Sequence, residues 1–215
     1  MKIGLLFDKN NDWISKYLLK KNFESIKGKN IKITIGNDIK KINNQEIVFI
    51  LGYTKKITNE DLLRNKLNLV VHESNLPKDK GFSPIQYQIL KGKNNLKVSL
   101  IVAETEIDKG PIILKQDLNF NGTELYDEIR KKQAKITIKI IKDFIKGYPQ
   151  ILKNKIKQKG FGTFNKKLSN KNNELNINQS INKQFNILRI GNNEKWPSHF
   201  YRKGIKYIIK IYKEN

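Results

Sequence analysis

The chain has only two histidines, and one of them, His72, stands in Val71-His72-Glu73-Ser74-Asn75-Leu76-Pro77, between an apolar run and a Leu-Pro turn. Asp108-Lys109-Gly110-Pro111-Ile112 begins 36 residues after that histidine. An imidazole titrates near neutral pH, and a carboxylate beside it fixes its orientation and raises its pKa. Such a pair supplies either a proton acceptor or a cation that hydrogen-bonds a developing oxyanion. Taken singly, a histidine at a strand end is more often structural and Asp-x-Gly is usually a turn. The two become a chemical centre only if the fold brings them together.

The elements around them have an α/β pattern. Ile3-Gly4-Leu5-Leu6-Phe7 reads as a strand ending at Asp8, followed by a helix with Trp13, Tyr17 and Leu18 on one face. Ile31, Ile33 and Ile35 alternate with polar residues as in an outer strand, whereas Ile47-Val48-Phe49-Ile50-Leu51 is continuous, as in a buried central one. Thr58-Asn59-Glu60-Asp61 has capping-box spacing ahead of Leu62 and Leu63, and this short helix leads into a strand over 67–71. His72 is thereby expected at the carboxyl end of a central strand. Ser83 as N-cap and Pro84 at the first helical position start a helix to about Leu90. Strands are expected over 98–103 and 112–114. A long helix capped by Thr123 should run to about Lys146 and bury Leu125, Ile129, Ile136, Ile140, Ile141 and Phe144.

The expected fold is an open, twisted, mostly parallel Rossmann-like α/β sheet with ligands at the carboxyl ends of its strands. Residues 1–147 form this unit, and 148–174 a Lys/Asn-rich linker or extended arm. Residues 175–215 hold a short helix over 178–190 and a β-hairpin of Phe200-Tyr201 and 207–212 turning at Lys203-Gly204.

Composition narrows the classes. The 215 residues suit one ordinary domain with a small appendage, and 38% hydrophobic residues in discrete runs describe a folded chain. Lys and Arg number 43 against 20 acidic residues, a formal charge of +23 that attracts polyanions. Only Arg64, Arg130, Arg189 and Arg202 are arginine, the residue that bidentate phosphate and base recognition favours. Lys, Asn and Ile are enriched together along the chain, the mark of a codon bias, so the charge reads as a solvated lysine surface and nucleic acid is not an expected partner. The absence of cysteine excludes disulfides, thiolate catalysis and cysteine metal ligands. No stretch approaches the ~18 apolar residues of a spanning helix, and the first apolar run is too short for a signal peptide. A cytoplasmic protein without membrane association is expected.

Three segments, in order and spacing, resemble the N10-formyltetrahydrofolate-dependent formyltransferases. They are Asn68-Leu69-Val70-Val71-His72-Glu73-Ser74-Asn75-Leu76-Pro77, then Lys80-Gly81-Phe82-Ser83-Pro84-Ile85-Gln86-Tyr87-Gln88-Ile89-Leu90-Lys91-Gly92, then Ile107-Asp108-Lys109-Gly110-Pro111-Ile112-Ile113 with Gln116. The family pattern is a His-x-Ser-Leu-Leu-Pro-like turn, a Gly-x-x-Pro helix start and an Asp-x-Gly before a strand. The likeness is strongest over 47–145, and Trp196-Pro197 resembles the region after the linker in larger members. Within the family the chain looks most like the sugar N-formyltransferases of lipopolysaccharide sugar synthesis. Asp8-Lys9-Asn10-Asn11-Asp12 lacks the glycines of the phosphate loop in glycinamide ribonucleotide formyltransferases. The residues from 175 on are too few for the barrel domain of the methionyl-tRNA enzymes.

The resemblance implies N10-formyltetrahydrofolate as cosubstrate, a nucleotide-linked amino sugar as acceptor and no metal. The amine attacks the formyl carbon, and the tetrahedral intermediate collapses to a formamide and tetrahydrofolate. His72 accepts the amine proton or, if protonated, donates to the oxyanion; Asp108 orients His72 and helps move the proton to the folate nitrogen. One departure stands out. The family has an Asn two residues before the histidine that donates to the formyl oxygen, and here that position is Val70. Ser74, in the following turn, and Asn68, on the same strand face but about 7 Å further back, are the candidate replacements. Val70 also motivates an alternative, a noncatalytic or weakly active binding protein on the same fold; a formyltransferase acting on another amine is a further one.

The pterin is expected between the loop Gly52-Tyr53-Thr54-Lys55-Lys56-Ile57, with Gly52, Tyr53 and Ile57 in contact, and the loop Glu104-Thr105-Glu106-Ile107, through Glu104, Thr105 and Ile107. The sugar is expected near Lys80, Gly81 and Phe82, with Phe82 or Tyr87 as packing surface and Lys80 facing the diphosphate. Trp196 and Tyr201 either stack on the base, cover a neighbouring subunit or belong to the core. His199 is expected at the surface and Trp13 in the core. The apolar hairpin residues Ile205, Tyr207, Ile208, Ile209 and Ile211 are expected to make a homodimer contact or to close over the main domain.

Overall fold

Short aliphatic runs build the centre of the molecule. The structure is a computed structural model and describes residues 1–9, 11, 13–19 and 30–214; Asn10 and Asp12, in the glycine-free loop after the first strand, lie outside them. Strands β1 (Lys2–Leu6), β2 (Lys32–Gly36), β3 (Ile47–Leu51) and β4 (Asn68–His72) run parallel in the order β2-β1-β3-β4. A two-residue strand, β5 (Lys80–Gly81), lies apart from this sheet. Then β6 (Asn95–Val102) and β7 (Ile112–Asn119) continue it beyond β4, both antiparallel to their neighbours. The result is the open, mostly parallel sheet that the pattern predicts. The continuous apolar run of β3 is buried along its whole length, whereas alternating β2 forms the half-exposed edge.

Both antiparallel strands are longer than their apolar runs predict. β7 carries Lys115, Asp117 and Asn119 on its outer face while Ile113 and Leu118 turn inward. An antiparallel edge strand wetted on one face tolerates such residues, so an apolar run marks only part of it.

Helical elements cover the sheet. Ile14–Leu19 is a helical segment with Trp13 and Leu18 buried. Helix α1 (Asn59–Leu63) starts at the predicted capping box, in which Thr58 and Asp61 bond reciprocally. Helix α2 (Pro84–Leu90) opens on Pro84, but Ser83 makes no side-chain cap. Its backbone is left-handed (φ 49°) rather than the extended conformation in which a capping hydroxyl meets the helix N–H groups. Helix α3 (Tyr126–Gly147) begins two residues later than a Thr123 cap requires, because Asn121 captures the Thr123 backbone and hydroxyl. Glu128 accepts the Leu125 N–H instead (2.9 Å). Ile129, Ile136, Ile140, Ile141 and Phe144 are buried, with Phe144 edge-on to Phe49 at 5.8 Å. Leu125 is only partly buried.

The chain beyond α3 returns to the sheet. After a turn at Gln150–Asn154, Ile156 bridges to Ile112, and β8 (Phe164–Asn165) pairs parallel with β5. Helix α4 (Ile181–Ile190) follows, capped by Ser180, and packs on α2. Arg189 from α4 is 1% exposed and meets the buried Glu124 carboxylate at 3.3 Å. The hairpin is β9 (Ser198–Arg202) and β10 (Ile205–Ile209), turning at Lys203-Gly204 with φ of 49° and 78°, the signature of a tight hairpin turn.

Two tail expectations need correction. His199 is not a surface residue: it is 3% exposed, its ring meets Tyr201 edge-on, and its carbonyl accepts Leu175 N–H at 2.7 Å. A polar stretch hid its inward position, which it shares with its neighbour Ser198. Trp196 is not a core residue but is 39% exposed, resting edge-on against Tyr126 at the start of α3. Among the described residues no helix is long and apolar enough to cross a membrane.

Candidate active site

β4 delivers His72 at its last position, buried, with both ring nitrogens facing oxygens. Nε2 lies 2.8 Å from the Asp79 carbonyl oxygen and Nδ1 3.5 Å from Asp108 Oδ2. Sequence spacing alone left this pairing open; the fold makes it.

The turn after β4 is pinned from several sides. Ser74 Oγ donates to the Lys78 carbonyl and Ser99 Oγ to the Ser74 carbonyl, each at 2.7 Å. Gln88 of α2 donates to the Glu73 carbonyl, and Gln133 of α3 to the Glu73 carboxylate. Lys115 of β7 holds Asn75 Oδ1 (2.6 Å) and the Leu76 carbonyl (3.1 Å). At the end of this turn Asp79 is left-handed (φ 55°) and buried. Burial pushes its carboxyl up, but Lys91 at 2.7 Å, Asn165 and Lys93 outweigh burial and leave the group below the usual range.

Asp108 comes from the loop between β6 and β7, again left-handed (φ 53°), and Oδ2 accepts Gly81 N–H at 2.8 Å. That loop lies directly on the sheet: a Cβ at Gly110 would stand 1.8 Å from the Val102 carbonyl oxygen. Only glycine allows this approach.

The structure therefore gathers His72, Asp108, Lys80 and Gly81, with Phe82 next in line and bonded through its N–H to Asn165. It also brings in residues that sequence reasoning missed. Gln158 Nε2 donates to both the Asp108 and Gly110 carbonyls at 2.8 Å, and Thr163 Oγ1 accepts Asp79 N–H at 2.8 Å. Phe161, between Gly160 and Gly162, is fully exposed, while Gly162 packs on the Pro77 carbonyl close to Lys80 Nζ. The one signal for this segment was its glycine pair; lysine and asparagine masked the rest.

Neither candidate replacement for the missing Asn is available. Asn68 is about 13 Å back along the strand from His72, and its amide donates to the Leu62 carbonyl at 2.8 Å. Ser74 is wholly buried with its hydroxyl committed to Lys78. Val70 itself joins a small apolar cluster with Val48, Ile50 and Ala103, against which Tyr53 and Ile57 also pack. The loop holding Tyr53 is tied down by Asp8, which accepts the Thr54 N–H at 2.8 Å and the Thr54 hydroxyl, and by Asn11, which donates to the Gly52 carbonyl. On the other side Glu104, Thr105 and Ile107 are exposed. Tyr87 is half-buried on α2, and no contact joins Trp196 to this centre among the described residues. There is also no group of three His, Cys, Asp or Glu side chains able to hold a metal ion among them.

The chain is similar to several known proteins. The methionyl-tRNA formyltransferase of Thermodesulfovibrio yellowstonii is 27% identical over 169 residues, 77% of this chain and 54% of that protein. Its counterpart from Finegoldia magna is 26% identical over 208 residues, 94% of this chain and 65% of its own length. The chain thus spans between half and two thirds of these relatives. Among solved structures, methionyl-tRNA formyltransferase from Clostridium thermocellum superposes with a TM-score of 0.81 at 21% identity, covering 100% of this chain and 94% of that one. A 4-N formyltransferase from Francisella tularensis gives 0.68 at 19% identity, covering 100% and 98%. HypX from Aquifex aeolicus, solved with tetrahydrofolic acid, gives 0.71 at 14%, covering 98% and 37%. The formyl transferase family model matches residues 6–145, the larger part of the sequence and the part that contains His72 and Asp108, and the chain belongs to that family.

Proposed function

We propose that this chain transfers the formyl group of N10-formyltetrahydrofolate to the amino group of a nucleotide-linked amino sugar. The observation that carries the reading is the His72–Asp108 contact, which lies within the stretch that the family model matches. The amine nitrogen forms a bond to the formyl carbon, the carbon–N10 bond breaks, the amine proton passes to His72, and folate N10 leaves with a proton. Asp108 stabilises the imidazolium that this step creates. The apolar surface of Ile57, Tyr53 and Val70 suits one face of a pterin.

The sugar assignment draws on the fold shared with a sugar N-formyltransferase from Shewanella, 98% of which is covered, and on Lys80 and Phe161 beside the turn after β4. A second reading has methionyl-tRNA as acceptor; the names of the sequence relatives favour it. Purified chain incubated with N10-formyltetrahydrofolate and a panel of 3-amino and 4-amino nucleotide sugars should release tetrahydrofolate and yield a formamide. Transfer to methionyl-tRNA alone would replace the sugar reading, and no transfer to any amine would end the enzymatic one.

A further inference from the structure

His72 is flanked by two groups that can only accept. A carbonyl has no proton to give, so at 2.8 Å from the Asp79 oxygen Nε2 must be the protonated nitrogen in every ionisation state of the ring. Nδ1 is left as the nitrogen whose protonation can change, and it faces Asp108 Oδ2 at 3.5 Å. Both acceptors sit in loops, and one later stretch of chain holds them. Thr163 Oγ1 takes the Asp79 N–H, Asn165 reaches the Asp79 carboxylate at 3.4 Å, and Thr163 and Asn165 carbonyls accept the N–H groups of Lys80 and Phe82. On the other side Gln158 grips the Asp108 and Gly110 carbonyls.

We propose that residues 158–165 act as a positioning strap that fixes His72 as the Nε2–H tautomer, so that Nδ1, in the gap towards Asp108, is the atom that accepts the amine proton. The inference rests on the formyl-transfer reading for its chemistry, but the tautomer is a property of the resting protein. Other titratable groups around the ring are distant in role: Glu73 is bonded to Gln133, and the Asp79 carboxylate to Lys91 with Lys93 nearby. None of these offers a competing acceptor to Nδ1.

Two-bond nitrogen–proton spectra of the labelled full-length chain test this directly, since only His72 and His199 contribute. At alkaline pH His72 should show a protonated Nε2 and an unprotonated Nδ1; the opposite tautomer, or a mixture, overturns the proposal. Thr163→Val keeps the shape and removes the acceptor for Asp79 N–H. It should mix the tautomers, shift the pH profile of transfer and lower kcat about tenfold with KM for folate unchanged, while Thr163→Ser restores all three. If Thr163→Val does not fold, Gln158→Met loosens the Asp108 side alone and should shift the same pH profile. An unchanged tautomer and pH profile in a folded variant overturn the strap. The expected tautomer without any formyl transfer would sink the proposed function and leave the positioning intact.

Discussion

Asp108 Oδ2 stands between two partners, accepting Gly81 N–H at 2.8 Å and facing His72 Nδ1 at 3.5 Å. The Gly81 backbone thus aims the carboxylate at the imidazole that the proposed reaction uses as its base. His72→Ala should lower single-turnover formyl transfer by on the order of 10²–10⁴. Asp108→Asn keeps an oxygen for Gly81 but loses the charge that balances an imidazolium, and should cost on the order of 10² or more. Thermal unfolding of both variants should stay close to the parent, separating lost chemistry from lost fold.

By the resemblance Val70 stands where a donor is expected, and the amide of Asn68 and the hydroxyl of Ser74 are bonded elsewhere. The Val70→Asn variant should therefore raise turnover, by on the order of 10² if an oxyanion donor is what the site lacks. Placing an amide in the cluster with Val48 and Ile50 should cost about 1–3 kcal/mol of stability. Rates from stopped-flow or quenched reactions decide the matter: an unchanged kcat means that the missing donor does not limit this chain.

What could be read in the sequence follows a physical divide. Where burial on both faces demands a continuous apolar run, as in β3, or where a cap needs fixed spacing, as at Thr58 and Asp61, the residues announce the element. His72 was legible because a strand end places it. Thr123 misled because a helix start depends on which neighbour captures the backbone, here Asn121. The strap was invisible for a related reason: Gln158, Thr163 and Asn165 act by backbone hydrogen bonds to residues about 50 to 85 positions earlier, and no local periodicity records such partners.

Phe161 touches nothing that holds the fold, yet it rides on a Gly-x-Gly tip laid against Pro77 with Lys80 Nζ alongside. An exposed aromatic ring on a tip that an ammonium also reaches suits a base linked to phosphate. Phe161→Ala and Lys80→Met should each raise KM for a nucleotide-linked acceptor several-fold and leave KM for folate alone. Because Phe161 is fully exposed, its removal should move stability by less than about 0.5 kcal/mol. Equal KM values for parent and variants would take both residues out of the acceptor site.

Glu124 and Arg189 join the tail helix to the α/β unit through a buried ion pair, supported by Arg189 Nε on the Glu124 carbonyl (3.1 Å) and by Asn94. Burial pushes the Glu124 carboxyl up, but Lys132 and the Asn121 N–H outweigh it and bring it from 4.5 to about 2. A depressed folded pKa means that the ionised form is favoured by folding. The contribution, about 3 kcal/mol, is therefore complete above pH ~4.5 and lost as pH falls towards ~2. Other low carboxyls, Asp79 and Asp61 among them, titrate in the same direction, so the comparison must be with a variant. Glu124→Gln leaves Arg189 buried without its counter-ion and should cost about 3–5 kcal/mol at pH 7. In urea unfolding at pH 7, 4 and 3 the gap between parent and variant should narrow as pH falls. A gap that stays constant would mean that the Glu124 charge is not what fastens α4 to the sheet.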